Sequence, residues 1–196
     1  MKQTSIFMQL LCLAGLIVMA FGARLPLKKR SSVESVKGNE CSSSAVRMKE
    51  NCFTSKQIQS EVKTLNKKTS NFKNLFQDKN TSVQLLTESL ENEFKSDETC
   101  STRHNLLSFY MENVFCVGNV TAAAKRFGIF ESFLIIEDTL TQCLPYKCES
   151  TEETENMREF KKKFNVNKKN GLRKAIRELD TLLHWIHDFV RVMKSG

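Results

Sequence analysis

Glycine and proline are scarce in this chain, with seven glycines and two prolines among 196 residues. No useful length of sequence alternates apolar and polar residues, which is the pattern of a half-buried β-strand. No strand–helix–strand pattern occurs either, so a parallel sheet is not expected. Because few helix-breaking residues interrupt the chain, it is predicted to be all-α.

The motifs of common catalytic sites are also missing. The sequence has no glycine-rich phosphate loop and no HExxH, GxSxG or CxxC motif. His184 and His187 have a helical spacing that can bind a metal, but no third ligand is evident, and solvated surface positions are the simpler interpretation. We therefore predict a binding protein that is not an enzyme and has no cofactor or metal.

The N-terminus has the composition of a secretory signal. The apolar run at 6–21 is shorter than the roughly 20 residues of a transmembrane helix, and small residues precede a cleavage position after Gly22. Residues 1–22 are therefore predicted to be a signal peptide, with a membrane anchor as the weaker alternative. The polar stretch 23–51 is predicted to be a flexible arm and 52–196 a single helical domain, secreted and extracellular.

The cysteine count suits a secreted protein. Removal of the signal peptide leaves six cysteines, an even number that favours disulfides over a zinc site: Cys41, Cys52, Cys100, Cys116, Cys143 and Cys148. Two N-x-S/T sequons, at Asn80 and Asn119, are predicted glycosylation sites.

Apolar residues recur three or four apart in six segments. Thr54, followed by Gln57, has the pattern of a helix cap, and Asn170-Gly171 is interpreted as a turn before the last helix. Trp185 lies beside an apolar stripe and is assigned to the core. The pattern predicts a six-helix bundle, with helices at about 54–77, 83–94, 100–115, 122–143, 152–164 and 171–189.

Positive charge is concentrated near the C-terminus. Between Arg158 and Arg177 there are nine basic residues and one acid, Glu159, a net charge of +8 that equals the surplus of the whole chain. Such a segment, at the corner between the fifth and sixth helices, either binds a polyanion or is an ordinary solvated surface. The candidate polyanion-binding residues are Arg158, Lys161, Lys162, Lys163, Lys168, Lys169 and Arg173.

Two sequence segments carry a family resemblance. CSTRHNLLSFYMENVF at 100–115 and KAIRELDTLLHWI at 174–186 resemble the third and last helices of the interleukin-10 family of cytokines. The resemblance implies a disulfide-bridged bundle of the class II helical cytokine type. It also implies two bridges, Cys52–Cys143 and Cys100–Cys148. The remaining cysteines of the mature chain either pair with each other or link two chains.

The resemblance further implies a receptor-binding face made by the first helix, the loop after it and the last helix. On that face it places Lys174, Glu178 and Asp180, whose alternating charges suit specific pairing. The implied function is to bring together two class II cytokine receptor chains and trigger JAK/STAT signalling in immune or epithelial responses. The alternative is a secreted cationic effector that binds heparan sulfate, DNA without sequence specificity, or bacterial membranes; a hydrolase or lipid carrier is weaker. Whether the protein is a monomer or a homodimer stays open.

Overall fold

The computed structural model describes residues 52–76, 83–143 and 146–193. In these ranges the chain forms eight α-helices and one π-helical segment. The elements are α1 (Ser55–Asn74), α2 (Glu88–Lys95), α3 (Cys100–Phe109), the π-helix (Tyr110–Phe115), α4 (Gly118–Arg126), α5 (Ile129–Gln142), α6 (Glu155–Val166), α7 (Lys168–Arg177) and α8 (Leu179–Val192). The all-α prediction is confirmed. No described helix has the length and apolarity to span a membrane.

The first helix starts where its cap predicts. The Thr54 side chain accepts a hydrogen bond from the Gln57 backbone, and the Gln57 side chain accepts one from the Thr54 N–H at 2.8 Å. This reciprocal cap satisfies two amide groups that the helix itself leaves open. The buried face of α1 then packs against both α5 and α8, and its other residues remain exposed or half-buried.

Two of the six predicted helices are each divided in two. The fourth is interrupted at Gly128, whose φ of +61° lies in the left-handed region that favours glycine. The sixth is interrupted at Glu178. The break that separates it from the fifth predicted helix falls at Asn167. The predicted turn at Asn170-Gly171 was wrong, because Gly171 is buried inside α7. An added Cβ at Gly171 would lie 2.3 Å from the Phe164 carbonyl oxygen, so glycine permits close packing there.

The second helix is shorter than its apolar pattern indicates. It begins after Thr87, and Val83, predicted to be an inward residue, is 49% exposed. Leu86, Leu90 and Phe94 are buried as predicted. Leu86 is held in a bend before the helix, so it reaches the core from a different backbone conformation.

Aromatic side chains join α2, α3 and α8. Trp185 is 2% exposed and contacts Phe94 with ring centroids 6.0 Å apart, which confirms its core assignment. Arg103 is also buried, places its guanidinium 4.0 Å from the Phe189 ring centroid and donates to the Phe94 carbonyl at 2.9 Å. Burial lowers the pKa of Arg103, and the cation–π contact offsets part of the desolvation cost.

A polar network fixes the start of α6. Thr154 caps this helix, and its hydroxyl donates to the Glu93 carboxylate of α2 at 2.5 Å. The same carboxylate accepts from Thr102 at 3.1 Å and from the Asn156 amide at 2.6 Å. Because Thr154 and Asn156 begin α6 while Thr102 lies on α3, Glu93 of α2 holds α6 against both α2 and α3.

Both disulfides implied by the resemblance form. Cys52 bonds to Cys143 with Cα atoms 5.7 Å apart, and Cys100 bonds to Cys148 with Cα atoms 5.6 Å apart. Cys116 is also disulfide-bonded. Cys41 lies outside the described residues, as do the predicted signal peptide and the predicted arm at 1–51.

Candidate functional site

The site begins where α7 ends and α8 starts. Glu178 occupies this junction with φ −84° and ψ 5°, and its side chain is only 12% exposed. Its carboxylate accepts hydrogen bonds from the backbone N–H groups of Leu85 at 3.1 Å and Leu86 at 2.9 Å. Glu178 therefore holds the bend before α2 against the junction of the last two helices.

Lys174 completes this arrangement from one turn earlier. Its side chain is 16% exposed, and its Nζ lies 3.3 Å from the Glu178 Oε1. Behind the pair, the buried Tyr110 hydroxyl donates to the Ala175 carbonyl at 3.2 Å. Burial, with the Glu178 charge adding to it, raises the pKa of Tyr110 well above its ordinary value, so the phenol stays protonated and can donate. The Lys174 and Glu178 charges thus serve contacts inside the protein.

Asp180 faces a different neighbour. Its side chain is 54% exposed, accepts from the Thr69 hydroxyl of α1 at 3.1 Å and forms an ion pair with Lys73. Asp180 and Lys73 form a surface shared by α1 and α8, with the buried Thr69 hydroxyl beneath it; we name these three residues the α1–α8 face (Thr69, Lys73 and Asp180). The structure therefore separates the three predicted receptor-binding residues into an internal pair and an exposed carboxylate.

An apolar groove of about 440 Å³ adjoins the internal pair. Val83 and Leu85 line one side, and Val166 and Gly171 line the other. Val166 is 81% exposed. Lys174 also lines the groove. Glu178 therefore positions two lining residues, because it accepts a hydrogen bond from the Leu85 N–H and forms an ion pair with Lys174.

Three of the predicted polyanion-binding residues have acidic partners. Arg158 pairs with Glu155 at 2.9 Å, Lys163 with Glu159 at 2.9 Å, and Lys161 with Glu153. The Glu159 pKa is lowered by its hydrogen bond with Lys163 and by the charge of that lysine. Glu153 and Glu155 precede the basic segment in sequence, and these pairs reduce the charge that the fold presents.

The other four candidates form no ion pair with a described residue. Lys162, Lys168 and Lys169 are exposed, and Arg173 is partly exposed. We name these four residues the basic corner, since they flank the Asn167 junction between α6 and α7. The structure concentrates the available positive charge into this smaller surface.

The two histidines of the last helix surround an aspartate. His184 and His187 lie 3.3 Å and 3.6 Å from the Asp188 carboxylate, and Lys95 of α2 lies 3.4 Å from it. Burial opposes ionisation of Asp188, but the charge of His184 and the Lys95 contact outweigh it and lower its pKa. No cluster of three metal-ligating side chains occurs within the described ranges.

The predicted glycosylation sites differ in what can be said of them. Asn119 is exposed in the first turn of α4, a position where a glycan meets no packed neighbour. Asn80 lies outside the described residues. The two sites stay predictions.

Sequence reasoning placed the first helix on the candidate face but named none of its residues there. Thr69 fits the apolar stripe of the first helix, and Lys73 lies among several lysines of α1. No spacing rule links either residue to Asp180, which is more than a hundred positions away. Only the packing of α1 on α8 brings them together.

Comparison with known proteins identifies the class. Residues 31–192 match the family model described as Interleukin 10. The chain therefore belongs to the interleukin-10 family, and it is a cytokine.

One curated relative is human interleukin-26, which is 31% identical over 111 residues. The match covers 56% of this chain and 62% of the length of the human protein. This match supports the likeness to interleukin-26 that LLSFYMENVF, the basic stretch before Asn170-Gly171 and KAIRELDTLLHWI indicate. No solved structure matches the chain significantly.

Proposed function

We propose that this cytokine is secreted and signals by bringing together two class II cytokine receptor chains. Each chain takes a different face of the bundle, and kinases on their cytoplasmic tails then phosphorylate each other and STAT proteins. Membership of the interleukin-10 family supports this mechanism. It requires binding surfaces and no catalytic group.

The observation that carries the proposal is the half-exposed Asp180 carboxylate, held where α8 packs on α1. Asp180 keeps more than half of its side chain exposed while Lys73 and Thr69 hold its orientation. A charge fixed in this way loses little conformational freedom when it meets an oppositely charged partner. We assign direct receptor contact to the α1–α8 face.

Lys174 and Glu178 have a supporting role in this proposal. Their side chains are mostly buried and bonded inside the protein, so a receptor reaches them only at their edges. What they supply is the position of Leu85 and the shape of the apolar groove that Lys174 lines. Polar rims beside apolar pockets are the usual anatomy of a protein interface.

Binding to receptor ectodomains tests the proposal. Surface plasmon resonance with a panel of class II cytokine receptor chains should find one chain whose affinity falls at least tenfold in Asp180→Ala. Glu131→Ala is the matched control, since Glu131 is exposed on α5 and takes no part in the α1–α8 face. Equal affinities for the two variants and the wild type would contradict the assignment of the face.

A second function, polyanion binding, is supported by the basic corner. Clustered lysines and arginines attract sulfated glycans by a salt-dependent electrostatic force, and these four residues lack acidic partners among the described residues. Heparan sulfate, nucleic acid phosphates and anionic bacterial membranes share the required charge. This function is compatible with receptor binding because the basic corner and the α1–α8 face involve different side chains.

Heparin chromatography separates the basic corner from its paired neighbours. Lys168→Gln with Lys169→Gln should elute at clearly lower salt than the wild type. Arg158→Gln with Lys163→Gln removes the same formal charge but involves residues already paired with acids, so its shift should be smaller. Equal shifts would show that net charge alone governs binding, and retained STAT signalling in the first variant would make the basic corner accessory to the cytokine function.

A further inference from the structure

A polar cleft of about 490 Å³ lies between α6 and the helix formed by α3 with its π-helical continuation. His104, Asn105 and Ser108 line the α3 side, while Lys161 and Asn165 line the α6 side. The volume falls within the roughly 300–1,000 Å³ of small-ligand sites. None of these residues belongs to the α1–α8 face.

The π-helix contributes two further polar groups to this cleft. The Cys116 N–H donates at 3.1 Å to the Met111 carbonyl five residues earlier, the bonding pattern that defines a π-helix. In this wider turn the consecutive residues Glu112 and Asn113 are both exposed, and both line the cleft. Short π-helical segments within helices occur often at functional sites, and this one lies along a cleft wall.

The cleft walls offer hydrogen-bonding groups that the fold does not use. Among the described residues, none bonds to the side chains of Asn105 and Asn113. The Asn165 amide donates to the Lys161 carbonyl at 2.9 Å, which leaves its own oxygen available. The Ser108 hydroxyl donates to the Glu137 carboxylate at 3.0 Å and can still accept a hydrogen bond. Each amide provides a donor and an acceptor, so both kinds of group line the cleft.

The cleft lining carries little unpaired charge. Glu112 is the one acid and Lys161 the one lysine among its lining residues, and Lys161 is already paired with Glu153. A polyanion or a polycation therefore gains little from this surface. A neutral ligand whose groups both donate and accept matches it better, and hydroxyl groups do both.

We propose that the cleft between α3 and α6 binds a neutral carbohydrate of one or two sugar rings, separately from the receptor and polyanion surfaces. Vicinal hydroxyls would bond to the amides of Asn105 and Asn113, with Glu112 accepting a further hydroxyl. Binding is weak for a single site, with a dissociation constant on the order of 1 mM, because each new hydrogen bond replaces one to water.

A two-dimensional ¹⁵N NMR titration of the disulfide-bonded protein tests this site. The probes are chitobiose and mannobiose, which separate N-acetylated from plain sugars, and a heparin tetrasaccharide as the anionic comparison. The proposal expects saturable shifts of the Asn105, Asn113 and Asn165 side-chain amides with at least one neutral sugar. Asn105→Ala with Asn113→Ala should weaken that binding at least tenfold, and Asn92→Ala, an exposed amide on α2, should leave it unchanged.

Two results would overturn the proposal. One is the absence of saturable shifts in the cleft with either neutral sugar, in protein whose spectrum is that of the folded wild type. The other is stronger binding of the heparin tetrasaccharide in the cleft, which would make the cleft part of the polyanion surface. If the spectrum of the double variant differs from that of the wild type, Asn113→Asp is used instead. This variant keeps the size of the exposed side chain and removes its hydrogen-bond donor.

Discussion

Replacing Glu178 gives the clearest separation between a receptor contact and a supporting residue. In Glu178→Ala the N–H groups of Leu85 and Leu86 lose their carboxylate acceptor, and Lys174 loses its ion-pair partner. A hydrogen bond to a charged group contributes about 1.5–3 kcal/mol, and the bend before α2 regains access to water when it is released. We expect the free energy of unfolding to fall by about 3 kcal/mol.

The measurement is urea-induced unfolding at pH 7, followed by hydrogen exchange of the Leu85 and Leu86 amides. Those two amides should lose protection in Glu178→Ala more than the core of α8 does. Asp180→Ala is the control for stability: its carboxylate is half exposed, and such ion pairs contribute at most about 1 kcal/mol. An unfolding free energy of Glu178→Ala equal to that of the wild type, with both amides still protected, would refute the supporting role.

The conservative variant Glu178→Gln refines the test. A glutamine keeps one oxygen that can accept from Leu85 or Leu86 but has no charge. If Glu178 acts through the bend, receptor affinity should follow the protection of these amides across the two variants. If affinity is lost in Glu178→Gln while protection is retained, the carboxylate contacts the receptor directly.

Two further predictions concern stability. Burial raises the pKa of Glu137, with the nearby Asp138 and Glu112 charges adding to the effect. The folded state thus binds this proton more tightly than the unfolded state does, so the protein loses stability as pH rises through the folded pKa. Thermal unfolding should therefore show Glu137→Gln more stable than the wild type at pH 7 and without this advantage in acid, whereas equal stability of the two proteins at pH 7 would contradict a cost of burying the Glu137 charge. Gly171→Ala should lower the free energy of unfolding in urea by more than about 2 kcal/mol, because its Cβ meets the Phe164 carbonyl oxygen. A loss below about 0.5 kcal/mol, the ordinary range of surface substitutions, would mean that the backbone around Gly171 shifts to accommodate the Cβ at little cost.

The fold was predictable because its strongest signals are local. The cap at Thr54 and Gln57 depends on residues three positions apart, and the buried positions of α6 follow the helical period. The divisions at Gly128 and Glu178 were not predictable from period alone. A glycine inside a helical pattern is often tolerated, so Gly128 alone does not predict a break. Glu178 lies at a break between two helices, where its carboxylate accepts a hydrogen bond from the distant Leu86 N–H.

The candidate site was harder to predict because its contacts are long-range. Lys174 and Glu178, four residues apart, have the spacing of an ordinary exposed pair, and nothing in the sequence shows that Leu85 and Leu86 cover them. The pairing of Arg158 with Glu155 could have been found, since three-residue spacing joins opposite charges on a helix. The link between Lys73 and Asp180 depends on how α1 packs on α8, which is decided by the whole core.

The most direct test of the proposed function is STAT phosphorylation in cells that carry defined pairs of class II cytokine receptor chains. We expect a response that requires two particular chains and that is reduced at least tenfold in potency by Asp180→Ala but not by Glu131→Ala. Absence of STAT phosphorylation with every pair, from protein shown to be helical and disulfide-bonded, would contradict the receptor mechanism and leave the basic corner as the main functional surface.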